Sequence, residues 1–250
     1  MKIIFEIYYH TRWGESLFLS GDIDELGANE ENRAVMMDYQ GDGLWKYTME
    51  LPASAKKFHY EYLVKSGEGI RREWGSPHSF SPGRNAWEYR LVDRWRDVPA
   101  DLPFYSSAFI QGIFFRQHAA SVVETIDPGT LTVKVDASQL RPDERLVMVG
   151  DCPELGDWDV LKAPLLNDSA FPEWQITLDG RQLKFPFEYK FVIVRTHQRE
   201  VVAWETGENR ICREKPQNPS EAVVVSGLRF NGSESQWRGA GTAIPVFSLR

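Results

Sequence analysis

Apolar and polar positions alternate in short runs along most of the chain. In the second half, Leu131, Val133 and Val135 alternate with polar residues, and Leu146-Val147-Met148-Val149 runs apolar up to Gly150. Trp174, Ile176 and Leu178 alternate with Gln175 and Thr177, and Phe187, Tyr189, Phe191 and Ile193 with Glu188, Lys190 and Val192. Val223-Val224-Val225 closes this half. The first half carries Phe5-Ile7, Leu17-Phe18-Leu19, Trp45-Tyr47-Met49, Phe58-Tyr60-Tyr62-Val64 and Trp87-Tyr89-Leu91. A period of two over four to eight residues predicts half-buried strands, and almost nothing follows a helical period. Strands at this spacing, parted by Asp-Gly, Pro-Gly and Asn-rich turns, predict an all-β chain of two tandem immunoglobulin-like antiparallel β-sandwiches.

The halves are one domain type repeated. Gly21-Asp22 meets Gly150-Asp151, Glu25-Leu26-Gly27 meets Glu154-Leu155-Gly156, and Trp45 meets Trp174, all at one offset. Phe58 to Tyr62 meets Phe187 to Phe191 at the same offset, and Trp74 meets Trp204 after a one-residue slip. A register carried by Trp, Gly and aromatic positions marks an internal duplication. It predicts a first sandwich over 1–97, a connector over 98–128, a second sandwich over 129–228 and a tail over 229–250. Phe104-Tyr105 and Phe114-Phe115 suit packing of the connector against a domain rather than a free tether. Ala243-Ile244-Pro245-Val246-Phe247 reads as the start of a further domain.

Composition narrows the partners. The 250 residues suffice for two cores, and a formal net charge of −7 without a basic stripe argues against nucleic acid. Glu6 interrupts the apolar run a signal peptide needs, and no stretch is long enough to span a membrane, so a cytoplasmic protein is expected. Cys152 and Cys212 fit free thiols in a reducing compartment, with one bridge left open. Neither a cofactor nor a metal is expected: His10, His59, His78, His118 and His197 are scattered without ligand spacing. There is no nucleophile elbow, phosphate-cradling loop or convergent carboxylate pair. The chain itself is not expected to be catalytic.

Strand alternation also separates core from surface. If Phe187, Tyr189, Phe191 and Ile193 point inward, Lys190 and Glu188 point out. Trp45 and Trp174, inside alternating strands, are expected in the cores. Trp158 follows a tight Leu-Gly-Asp turn, and Trp204 precedes Glu205 and the polar turn Gly207-Glu208-Asn209. Two exposed rings beside Lys190, Glu205 and Asn209 suit a sugar: each ring offers flat apolar area to its C–H face, and the polar groups can bond its hydroxyls. Core burial is the alternative for either Trp.

Leu155-Gly156-Asp157-Trp158, Phe187-Glu188-Tyr189-Lys190-Phe191, Ala203-Trp204-Glu205 and Glu208-Asn209-Arg210 resemble, in order and spacing over about residues 115–228, the starch-binding modules of carbohydrate-binding family 20. The resemblance implies binding of α-1,4-glucans (starch, glycogen, maltooligosaccharides). Its first site would use Trp158 and Trp204 as stacking rings, with Lys190, Glu205 and Asn209 in the polar roles. The first copy departs there, with Asn29 for Trp158 and Glu61 for Lys190, Trp74 persisting and Gly75 in place of its acidic neighbour. The family's second site would instead fall on Trp13 and Tyr39 of the first copy, where a local packing pair is the alternative. In the second copy it falls near Pro142 and Asp168, which cannot stack. The tandem, connector and tail resemble the N-terminal region of the plant-type disproportionating enzymes and their bacterial relatives. These are 4-α-glucanotransferases with a family 77 barrel, so a catalytic domain in a parent chain is implied. A pair of immunoglobulin-like modules for protein contact or multimerisation is the competing reading, because fold alone does not fix function.

Overall fold

The computed structural model describes residues 1–83, 85–97 and 126–232. The connector aromatics Phe104, Tyr105, Phe114 and Phe115 and the apolar run 243–247 lie outside the described residues. The first copy contributes β1 (Lys2–Tyr8), β2 (Ser16–Gly21), β3 (Val35–Met36), β4 (Asp38–Gly41), β5 (Leu44–Glu50), β6 (Phe58–Ser66), β7 (Gly69–Arg72), β8 (His78–Phe80) and β9 (Glu88–Arg94). The second contributes β10 (Thr130–Asp136), β11 (Glu144–Gly150), β12 (Asn167–Ala170), β13 (Glu173–Asp179), β14 (Phe187–Arg195), β15 (Val201–Trp204), β16 (Arg210–Cys212) and β17 (Glu221–Arg229). No α-helix occurs among the described residues; the local helices are single 3-10 turns.

Each copy is a two-layer sandwich. In the first, β1 lies between β5 and β9 in one layer, and β6 pairs with β2, β7 and β8 in the other. In the second, β10 lies between β13 and β17, opposite β14 with β11, β15 and β16. The alternation read from the sequence sets the faces: Phe58, Tyr60, Tyr62 and Val64 fill the first core, and Phe187, Tyr189, Phe191 and Ile193 the second. Trp45 and Trp174 are buried in the cores, each indole donating to a backbone carbonyl of the strand-end loop beside it: Tyr9 O at 3.0 Å and Ala137 O at 3.1 Å.

The repeat motif is a structural corner. Gly21 and Gly150 face the carbonyls of His59 and Glu188, leaving no room for a Cβ. Asp22 and Asp151 then accept from the backbone N–H of those same residues, at 2.8 and 2.9 Å. Leu26 and Leu155 enter the cores from a 3-10 turn ended by Gly27 and Gly156, whose φ near 80° suits glycine.

The two sandwiches share one sheet. β9 pairs in parallel with β17, from Glu88 opposite Glu221 to Asp93 opposite Ser226, giving an eight-stranded sheet ordered β12-β13-β10-β17-β9-β1-β5-β4. Its four central strands, β10, β17, β9 and β1, run parallel, so Asp136, Arg229, Arg94 and Tyr8 all end at the same edge. The palindromic order places a local two-fold along the strands, and the cores fall on opposite faces. Alternation confirms it: Ala222 and Val224 of the second copy enter the first core, while Val92 of the first enters the second. Strands buried on both faces read as continuous apolar runs, which is why Val223-Val224-Val225 does not alternate. At roughly 1.5 kcal/mol or more per buried valine, these shared side chains couple the stabilities of the copies.

Polar groups cross the same seam. Arg90 donates to Glu221 at 2.9 Å, to Glu214 at 3.1 Å and to the Lys215 carbonyl at 2.6 Å. Buried Asp93 accepts from the Tyr60 and Tyr62 hydroxyls at 2.8 and 2.7 Å and from the Ser226 hydroxyl of the other copy. Burial first, then the Asp93 charge, raises both tyrosine pKa values well above normal, which keeps them as donors.

Candidate functional site

In the second copy, the outer face of β11 and β14 holds a small apolar patch of Val147, Val149, Val192 and Val194, closed by Val160 and Ala163, with Trp158 packed against it half-buried. Trp204 lies opposite Val192 on the edge strand β15 and is 42% exposed. The register therefore brings Trp158 and Trp204 to one valine patch.

Trp158 occupies an unusual backbone. Its φ is 64°, after Asp157 at 49°, and its N–H donates to the Gly150 carbonyl at 2.8 Å. The first copy repeats this turn with Ala28 at 52° and Asn29 at 63°, the Asn29 N–H donating to Gly21 O at 2.6 Å. Asparagine tolerates the left-handed region; a bulky aromatic there costs of order 1 kcal/mol or more. The second copy holds a tryptophan where the fold favours asparagine, and strain retained at one position points to use of that side chain.

The polar residues divide. Lys190, half-buried on β14, donates to the carbonyls of Glu205 at 3.1 Å and Gly207 at 2.6 Å, anchoring the loop after Trp204. Asn209 is exposed and donates to Glu188 at 2.8 Å, which leaves its amide oxygen as an acceptor at the surface. Glu205, expected among the sugar-bonding groups, is buried instead. It pairs with Arg210, through Nε at 2.9 Å and Nη2 at 2.5 Å, and accepts from the N–H of Phe191 and of Asn231. Strand alternation stops short of Glu205, and only Arg210, five residues on, signals in sequence that the carboxylate is matched internally.

Pairing registers also correct the alignment of Trp74 with Trp204. Leu63 lies opposite Arg72 as Val192 lies opposite Trp204, so Arg72 holds the position of Trp204. The following residue settles it: Glu73 is buried and accepts from Tyr62 N–H just as Glu205 accepts from Phe191 N–H. The matching tryptophans misled because the chain diverges right after β7. Arg72 bonds both Glu61 and Glu31, an exposed ion cluster where the second copy has rings. Trp74 goes elsewhere: its ring lies under the Arg229 guanidinium, 5.5 Å away, at the seam between the copies.

At the far side of the first copy, Trp13 is fully exposed on the loop after β1 and Tyr39 is 56% exposed on the edge strand β4. Tyr9 N–H donates to Gly43 O at 2.8 Å, and Gly43 N–H to the Tyr39 hydroxyl at 3.2 Å, so the Trp13 loop and the Tyr39 hairpin lie side by side. The Tyr39 ring leans on Trp45, 5.1 Å away. Cys152 and Cys212 are both buried, and burial pushes Cys152 up to about 11. Among the described residues, no group of His, Cys, Asp and Glu has the geometry of a metal site.

The chain is similar to several known proteins. The starch binding domain family matches residues 1–88 and again 130–223. A 4-alpha-glucanotransferase DPE2 of Oryza sativa subsp. japonica is 29% identical over all of this chain, which spans 28% of that relative's length. An AA13 family lytic polysaccharide monooxygenase A of Aspergillus terreus is 32% identical over 73 residues, 28% of this chain and 18% of its own. Among solved structures, the family 20 module of the maltotetraose-forming amylase from Pseudomonas saccharophila aligns over 39% of this chain and 99% of its own, at 19% identity and a TM-score of 0.32. With both copies matched, the chain belongs to the starch binding domain family, as two fused copies.

Proposed function

We propose that the chain binds α-1,4-glucans without transforming them, through Trp158 and Trp204 on the second copy. The observation that carries this is the paired comparison inside one molecule: the same corner and edge strand hold Trp158 and Trp204 in one copy, Asn29 and Arg72 in the other. Two rings over a valine patch offer flat apolar area to successive glucose units, while Asn209 and Lys190 line the rim. Glu205 acts from within, holding the Trp204 loop through Arg210. Trp13 and Tyr39 form a second, smaller platform on the first copy. An open platform buries little area, so each site should bind with a Kd on the order of 10–100 µM.

The similarity to a 4-alpha-glucanotransferase over the full chain supports a targeting role within such an enzyme, with these copies holding the polymer near a catalytic domain. A chain with only two cysteines, too few for a disulfide scaffold, supports a reducing, cytoplasmic setting. Calorimetric titration with maltoheptaose tests the reading. Binding that is lost in Trp158→Ala and kept in Trp13→Ala places the main site on the second copy, and partial loss in both supports two sites. Absence of heat with the folded wild-type chain refutes glucan binding and favours a protein-contact module.

A further inference from the structure

Between the copies, beside the ends of β9 and β10, the structure has a cleft of about 650 Å³ lined by Trp74, Lys57, His59 and Arg96 of the first copy and by Asp136 and Glu173 of the second. We infer that this cleft is a third carbohydrate site, one that encloses a short neutral sugar of one or two rings rather than a stretch of polymer. The inference takes its ligand class from the glucan reading and its residues from elsewhere. Neither copy could form such a site alone, because each supplies one wall.

Three observations carry it. The volume falls within the range of small-molecule sites, about 300–1,000 Å³, and a seam between domains is where such sites concentrate. Next, the walls hold hydrogen-bonding capacity that the protein leaves unused. The Asp136 side chain makes no hydrogen bond among the described residues, although it sits at the end of a core strand. Arg96 donates through Nε to Glu73 at 3.0 Å, but one terminal nitrogen, shielded from solvent, has no acceptor. A vicinal diol supplies what these groups lack, since each hydroxyl both donates and accepts. Trp74, released from the edge strand by Arg72, adds an aromatic wall backed by Arg229.

Charge decides between a sugar and an anion. Arg96 is already countered by Glu73, His59 pairs with Asp22 at 2.8 Å, and Glu173 is tied to Lys134 at 3.3 Å. Among the lining residues that leaves Lys57 and Asp136, one charge of each sign, while Arg229 lies against the Trp74 ring and is not part of the lining, so the lining itself has no cationic excess to hold a phosphate. A neutral polyhydroxylated ligand fits this lining; a phosphorylated one does not.

The test follows indole N–H signals of the full chain by NMR during titration with maltose, with Trp74 assigned through Trp74→Phe. The expected result is a saturable shift of the Trp74 signal that Asp136→Asn weakens about tenfold or more, the loss of a charged hydrogen bond. The Trp158 and Trp204 signals should respond as in wild type, which also shows that the variant is folded. Movement of Trp158 and Trp204 with Trp74 still would overturn the cleft site and leave the glucan platform standing. Movement of Trp74 alone would support the cleft and count against the platform. A Trp74 shift that is unchanged in Asp136→Asn, or that inorganic phosphate produces and maltose does not, would overturn the inference.

Discussion

Replacing Trp158 by asparagine should separate binding from folding. The variant puts into the second copy the residue that the first copy carries on the same backbone, φ 63° against 64°, with the same N–H bond to the corner glycine. Two terms oppose each other. Relief of a bulky residue at positive φ returns about 1 kcal/mol, because asparagine is among the few residues at ease there. Loss of the ring's contact with the valine patch of β11 and β14 costs about 2 kcal/mol for a half-buried aromatic. The net is a destabilisation of about 1 kcal/mol, a fall of roughly 2–4 °C in melting temperature for a chain of this size. Trp158→Ala loses the same packing and gains less backbone relief, so it should melt a further few degrees lower. Binding should respond the other way. A central stacking ring carries more than about 2 kcal/mol, so the Kd for maltoheptaose should rise about 30-fold or more in both variants. Calorimetry and differential scanning on wild type, Trp158→Asn and Trp158→Ala read both quantities. A Kd within threefold of wild type would refute the role given to the ring. An asparagine variant no more stable than the alanine one would refute the argument from backbone strain.

Three further outcomes are expected. Glu205→Ala removes the buried carboxylate paired with Arg210 and should cost about 3–5 kcal/mol, visible as a large fall in melting temperature that a direct sugar contact would not produce. Val224→Ala, in the second copy, should cost about 2 kcal/mol and lower the melting of the first copy's core, giving one calorimetric transition rather than two. Burial, then the neighbouring Glu173, raises Asp136 to about 6, so the folded chain carries this charge at a cost once the pH exceeds that value. Wild-type stability from this group is therefore lost as pH rises from about 4 to 6. Asp136→Asn should gain about 2–3 kcal/mol over wild type at pH 7.5 and nothing at pH 4, measured by urea denaturation.

Much of this was legible in the sequence because the relevant signals are local. Period-two alternation identified the strands and the inward faces of Phe58 to Val64 and Phe187 to Ile193, and the corner motif with its paired glycines exposed the duplication. Trp45 and Trp174 lie in the cores as alternation required. What escaped depends on contacts between distant segments. The fusion of β9 with β17 is visible only as a lack of alternation at Val223 to Val225, a pattern equally suited to a closing strand. The place of Arg72 opposite Leu63 follows from hydrogen-bond register, which residue identity cannot supply once the loops after β7 and β15 differ. A carboxylate beside an exposed Trp is usually solvated, and Glu205 departs from that because its partner Arg210 belongs to the next strand.

The direction in which β9 and β17 meet has a mechanical consequence. Had the two strands paired antiparallel, each copy would present its loops at opposite tips, and the chain would be a strut able to cross-link two separate particles. Pairing in parallel, they send the Trp13 loop and the Trp74 cleft out of one tip, like tines on a common handle. Eight strands of continuous hydrogen bonding make that handle stiff, so the tines cannot adapt their spacing to a ligand.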